Sequence, residues 1–204
     1  MDTDQLVAAV IDTHSPVAAA VSRRLRIARW RTESGDKVHE VLDTLALTSS
    51  RLDALVFAPT LNHDTDVPIT ELVTALVDGC EAALPKLRSN SGSVVVVVSA
   101  EMLGAATRPQ LAAGYGALTS AARSLALRLA ADTVTVNIIA TTAAALGAVA
   151  PPDEDRRPAL LPREVDPDDV AAAVQFFADP RSRYITGQVL YCCGGSTLLS
   201  SLSV

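Results

Sequence analysis

The sequence predicts an α/β chain built on a doubly wound parallel sheet, and three observations carry that prediction. Short apolar runs bounded by polar turns alternate with longer stretches of helical spacing. One run, Val94 to Val98, is unbroken valine, which suits a central parallel strand buried on both faces. Hydrophobic residues make up 49% of the chain and aromatics 3%, so the core is built from Ala, Val, Leu and Ile, side chains that pack helices closely onto a sheet. Strands alternating with helices imply a parallel sheet covered on both faces.

The elements follow in order. Residues 5–11 read as the first strand. Residues 16–26 read as a helix, with Ser15 as N-cap and Pro16 at the first position, where a missing N–H costs nothing. Residues 27–32 read as a short second strand. Residues 37–47 have helical spacing through Val38, Val41, Leu42 and Leu45. Residues 54–58 form a buried strand, 69–88 a long helix, 93–99 the valine strand and 109–131 a second long helix rich in Ala and Leu. Residues 133–140 form another strand. Residues 143–163, rich in Ala, Pro and charge, read as a mobile loop. A helix follows at 167–178, capped by Asp166 with Pro167 first. Residues 188–192 form the last strand, after the turn residue Gly187.

The 204 residues suit one domain over 1–204. The net charge of −6, with no basic run, argues against nucleic acid as the main partner. No apolar run reaches transmembrane length, and the acidic start Met1-Asp2-Thr3-Asp4 is unlike a signal peptide, so a soluble cytoplasmic protein is expected. The cysteines, Cys80, Cys192 and Cys193, have neither disulfide-frame nor zinc spacing. Cys192 and Cys193 read as small hydrophobic residues at a strand end, with a redox pair as the alternative. His14, His39 and His63 have no metal spacing either, and no metal is expected. His14, in the first strand–helix turn, is a solvated loop residue or a ligand contact.

Four segments resemble the short-chain dehydrogenase/reductase family. Ser124-Leu-Ala-Leu-Arg-Leu-Ala-Ala-Asp-Thr-Val-Thr-Val-Asn137 is similar to its helix leading into a Val-Asn strand. Arg183-Tyr-Ile-Thr-Gly-Gln-Val-Leu190, followed by Gly194-Gly195, resembles its C-terminal signature. Leu52-Asp-Ala-Leu-Val56 and the strand ending at Ser99 resemble two of its central strands. The resemblance implies a Rossmann-type fold. A block missing between Leu25 and Leu52 implies a sheet shortened on the adenosine side. Ligands of such sheets bind at the carboxyl ends of the strands, at the topological switch point.

The family's functional positions carry other residues here. Its three first-turn glycines fall on Asp12, Pro16 and Ala18. Those glycines let backbone N–H groups approach a pyrophosphate. A carboxylate at Asp12 in contact with a phosphate costs up to roughly 4 kcal/mol at an effective dielectric of about 20. The family's Asn-Asn-Ala-Gly beside the ribose reads Phe57-Ala58-Pro59-Thr60, and its Pro-Gly beside the nicotinamide reads Thr141-Thr142.

The family's catalytic set is Ser, Tyr and Lys, with an asparagine in the proton relay. Ser99 keeps the serine position. Counting back without gaps from Asn137 puts Leu111 on the tyrosine and Tyr115 on the lysine; the other register pairs Tyr115 with Thr119. The asparagine falls near Leu72. In neither register does a lysine accompany the tyrosine, and an ordinary phenol of pKa about 10 is a poor acid–base catalyst near neutrality.

These substitutions predict vestigial positions: no catalytic residue, no cofactor and a non-catalytic subunit. The resemblance implies oligomer contacts through helices 69–88 and 109–131 and the C-terminal strand, with the same chain or with an active reductase homologue. Two alternatives stay open: an NAD(P)-dependent oxidoreductase with a divergent site using Ser99 and Tyr115, and a small-molecule sensor using a vacated pocket.

Overall fold

The computed structural model describes residues 5–12, 14–47, 49–61, 68–149 and 158–198. The first half runs β1 (Val7–Ile11), α1 (Pro16–Ile27), β2 (Arg31–Gly35), α2 (Val38–Ala46), β3 (Ala54–Phe57) and α3 (Ile69–Arg88). The second half runs β4 (Ser93–Ser99), α4 (Pro109–Leu129), β5 (Thr135–Thr141), α5 (Pro167–Ala178) and β6 (Val189–Cys192). The six strands form one parallel sheet in the order β2-β1-β3-β4-β5-β6. The chain leaves β1 toward β2 on one side and returns to β3 on the other, so the switch point lies between β1 and β3. On the side of β1 the sheet ends after a single further strand, β2.

Helices α1 and α5 pack together on one face; α2, α3 and α4 line the other. The valines of β4 are fully buried between the two layers, as their unbroken run predicts. Tyr115 is the largest fully buried side chain in a core that is mostly aliphatic. Helices α2 and α3 meet at a glycine: a Cβ on Gly79 would lie 2.7 Å from Cγ2 of Val38.

The second strand differs from the sequence expectation of 27–32. Helix α1 continues through Ile27, whose side chain is 78% exposed, and β2 begins at Arg31. Between them the backbone closes a Schellman turn. Trp30 N–H donates to Leu25 O at 2.9 Å and Arg29 N–H to Arg26 O at 3.0 Å. Apolar Ile27 and Trp30 mimic a strand in sequence, but they are a helix end and its capping turn. Arg29 takes the left-handed position, with φ of 63°, that glycine usually fills. At α1's other end Ser15 is the N-cap residue but makes no side-chain cap bond, whereas Asp166 caps α5 through a complete capping box with Asp169.

At the amino end of the sheet, Asp53 ties three strands together. Its carboxylate accepts from Val7 N–H at 2.9 Å and from Arg51 Nε at 2.6 Å. Its backbone N–H donates to Val7 O, and its carbonyl accepts from Ser93 N–H, both at 2.8 Å. The Asp53 side chain is buried.

Residues 143–147 form consecutive turns, and Ala143, Ala145, Leu146 and Ala148 are buried; residues 150–157 of the expected loop lie outside the described residues. Among the described residues no helix is long and apolar enough to cross a membrane.

Two outcomes follow from this packing. Arg29→Gly relieves the left-handed strain and raises stability by about 0.5–1 kcal/mol in urea unfolding. Asp53→Ala orphans the buried Val7 N–H and removes the ion pair with Arg51, and the same measurement should show a loss of about 2–4 kcal/mol.

Candidate functional site

The carboxyl ends of β1, β3, β4 and β5 converge above the switch point. Asp12 follows β1 with φ of 80°, a left-handed conformation that Asp tolerates better than most residues. Its N–H donates to Gly35 O at 3.1 Å, which ties the turn to β2. Its carboxylate faces back onto the protein. Oδ1 accepts from His14 N–H at 3.0 Å, and Oδ2 accepts from Thr60 N–H at 2.8 Å. Pro16 opens α1 on the surface, and Ala18 is buried one half-turn on. The hydroxyl of Ser15 is buried and has no hydrogen-bond partner among the described residues.

His14 is exposed, and its ring lies 3.7 Å from the carboxylate of Asp36, the residue that follows β2. His39 lies beside Glu40 on exposed α2, and His63 lies outside the described residues. Among the described residues no group of His, Cys, Asp and Glu could hold a metal ion, and Cys80, Cys192 and Cys193 are free thiols.

Phe57 closes β3 as a buried side chain. Beyond it, the loop Ala58-Pro59-Thr60-Leu61 takes its bonds from two directions. Thr60 Oγ1 donates to Leu146 O at 2.8 Å, and Leu61 N–H donates to the Tyr115 hydroxyl at 3.0 Å. The Tyr115 hydroxyl in turn points at Pro59 O, 3.5 Å away. The phenol is thus committed to one loop as acceptor and donor. Burial pushes its pKa well above the ordinary phenol value; the Leu61 hydrogen bond opposes that only in part.

Leu111, one turn before Tyr115 on α4, is buried. Leu72 of α3 packs against the core, and a Cβ on Gly114 would sit 3.2 Å from Leu61 and 3.9 Å from Leu72. This side of the crevice is therefore apolar. Neither lysine reaches Tyr115: Lys37 pairs with Glu40 at 3.2 Å, and Lys86 Nζ lies 3.5 Å from Ser49 O before β3.

Ser99, fully buried, ends β4 and caps the short 3-10 turn Ala100–Leu103, its Oγ accepting from Glu101 N–H at 3.2 Å. Opposite it in register stands Thr141, the last residue of β5. The Thr141 hydroxyl is buried and has no partner among the described residues. Thr142 Oγ1 accepts from Ala145 N–H at 3.3 Å.

One pair at this edge was not singled out from sequence. Arg108, just before α4, forms an ion pair with Glu101, and both side chains are largely buried. Arg108 Nη1 also donates to Val149 O at 3.2 Å. Two charges seven residues apart across a strand–helix turn carry no sequence signature; only burial makes them notable. Asp12, Glu101 and Arg108 all lie within electrostatic reach of Tyr115, and Thr60 is bonded to Asp12.

A doubly wound parallel sheet whose strand-end loops meet at such a switch point defines a dinucleotide-type α/β domain. Residues 8–197 match the family described as enoyl-(acyl carrier protein) reductase. The chain belongs to the short-chain dehydrogenase/reductase family. Its relatives include two subunits of (2S)-[(R)-hydroxy(phenyl)methyl]succinyl-CoA dehydrogenase from Thauera aromatica. Subunit BbsC is 33% identical over 126 residues, covering 60% of this chain and 51% of that one. Subunit BbsD is 32% identical over 124 residues, covering 56% and 48%. The matched region thus spans about half the length of these curated relatives. In fold, the chain is similar to the 3-alpha-hydroxysteroid dehydrogenase from Pseudomonas sp. B-0831 crystallised with NADH. That likeness has a TM-score of 0.75 at 18% identity and covers 97% of this chain and 99% of that one.

The Tyr115 hydroxyl is here a structural group. Tyr115→Phe should therefore lower stability by about 1–3 kcal/mol in urea unfolding, because Leu61 N–H is left buried without an acceptor.

Proposed function

We propose that this chain is a non-catalytic short-chain dehydrogenase/reductase subunit, a structural or regulatory partner of an active reductase homologue or of a second copy of itself. The observation that carries this reading is the Asp12 carboxylate. It accepts the N–H groups of His14 and Thr60, so a fixed anion already lies at the turn a pyrophosphate would approach. These residues do not fit a dinucleotide. The carboxylate repels phosphate, by up to about 4 kcal/mol at an effective dielectric of 20, or roughly a thousandfold in affinity. No ammonium is present beside Tyr115 to lower its pKa, and burial raises it. On this reading Ser99, Leu111, Tyr115 and Leu72 are vestigial catalytic positions. Asp12, Pro16, Ala18, Phe57, Thr141 and Thr142 are vestigial cofactor positions, and no cofactor is used.

A partner role has support from the surface and from the relatives. Leu127 on α4 is 84% exposed, and Leu190 and Tyr191 of edge strand β6 are exposed together with Tyr184. The contacts proposed are helices 69–88 and 109–131 and the C-terminal strand. Two of the relatives, BbsC and BbsD, are different subunits of one dehydrogenase.

Two measurements test the reading. Titration with NADH or NADPH to millimolar concentration should give no saturable fluorescence change. Native mass spectrometry of protein from its own cells should show a homo-oligomer or a stoichiometric partner. Saturable nucleotide binding, or a free monomer, overturns it.

A further inference from the structure

We propose that residues 142–149 are a resident plug of the crevice. After β5 the chain crosses the carboxyl ends of β4 and β3 to the first turn, and its own backbone fills the space where this fold class holds a dinucleotide. The inference rests on the non-catalytic reading and deepens it by naming what fills the site.

The path is set by distance. From β5 to β1 is three strand spacings in the sheet order, about 14 Å. The segment spans that gap and is fastened at each step. At its start Thr142 anchors a turn, its Oγ1 accepting from Ala145 N–H and its carbonyl from Leu146 N–H at 3.4 Å. In the middle, Leu146 is 0% exposed and belongs to the hydrophobic core, while its carbonyl accepts from Thr60 Oγ1. At the far side Gly147 lies against the start of α1. A Cβ there would fall 2.7 Å and 2.8 Å from the Pro16 ring, and φ is 79°, so the approach requires glycine. At the outer edge the largely buried Arg108, held by Glu101, donates to Val149 O. Asp12 completes the arrangement by binding the same Thr60 that binds Leu146. Four loops from four strand ends are thereby joined by hydrogen bonds, an ion pair and the Gly147–Pro16 contact, all within the chain. Gly147 N–H to Ala144 O at 2.9 Å and Ala148 N–H to Ala143 O at 3.0 Å complete the segment's own hydrogen bonding.

Hydrogen–deuterium exchange on the full chain tests the plug. In the wild type the amides of residues 145–148 should exchange far more slowly than an unstructured peptide of the same sequence. Gly147→Ala drives a methyl into Pro16, and Thr60→Val removes the bond to Leu146. Each should speed those four amides by about tenfold or more while β4 and β5 stay unchanged. Peptide-like exchange in the wild type, or unchanged rates in both variants, overturns the plug. Adding millimolar NADH separates it from the reading it rests on. Saturable NADH binding with protection at 145–148 intact overturns the plug, because both cannot share the space. NADH binding with that protection lost supports the plug as a competitor and overturns only the non-catalytic reading. Exchange unchanged by NADH, without binding, supports both.

Discussion

Parallel pairing is the constraint on which the rest of this molecule depends. Every strand of the sheet runs in the same direction, so every connection must cross back over a face, and every strand-to-helix turn arrives at one edge. The helices that make those crossings bury both faces. That demand for side chains apolar on both sides is met by the β4 valines and by the Ala- and Leu-rich helices. The crevice between the ends of β1 and β3 is thus a consequence of topology rather than of any particular side chain.

What the chain places at that crevice departs from what the topology offers. A helix N-terminus and a set of backbone N–H groups are ready donors for an anion. Here an internal carboxylate takes two of them. The same economy recurs at Tyr115, whose hydroxyl serves the loop of Pro59 and Leu61, and at Arg108, whose charge is spent on Glu101 and Val149 O. Buried polar groups that satisfy one another rigidify the region they join. Asp12, Thr60, Tyr115 and Arg108 are engaged within the protein, while the buried hydroxyls of Ser15 and Thr141 have no partner among the described residues.

The family membership fits the fold described above. The match over residues 8–197 covers the sheet and its helices. The relatives BbsC and BbsD show that two distinct chains of this family can be subunits of one dehydrogenase. Fold and activity are separable, because the fold is held by distributed apolar packing while activity rests on a few groups at the strand ends.

The sequence by itself determined the class of fold, the order of the strands' appearance, the two long helices and the Asp166 cap. These depend on periodicity and on local capping, which are properties of neighbouring residues. Through the family resemblance it also singled out Asp12, Phe57, Thr141 and Thr142, whose vestigial status belongs to the proposal. It misplaced β2, because Ile27 and Trp30 around a Schellman turn have the composition of a strand. Only the tertiary structure decided where the Asp12 carboxylate points, what the Tyr115 hydroxyl holds, that Arg108 and Glu101 are buried together, and that Leu146 belongs to the core. Each of those facts joins residues far apart in the chain, as Asp12 to Thr60 and Thr60 to Leu146, and a contact made by folding leaves no spacing in the sequence to be read.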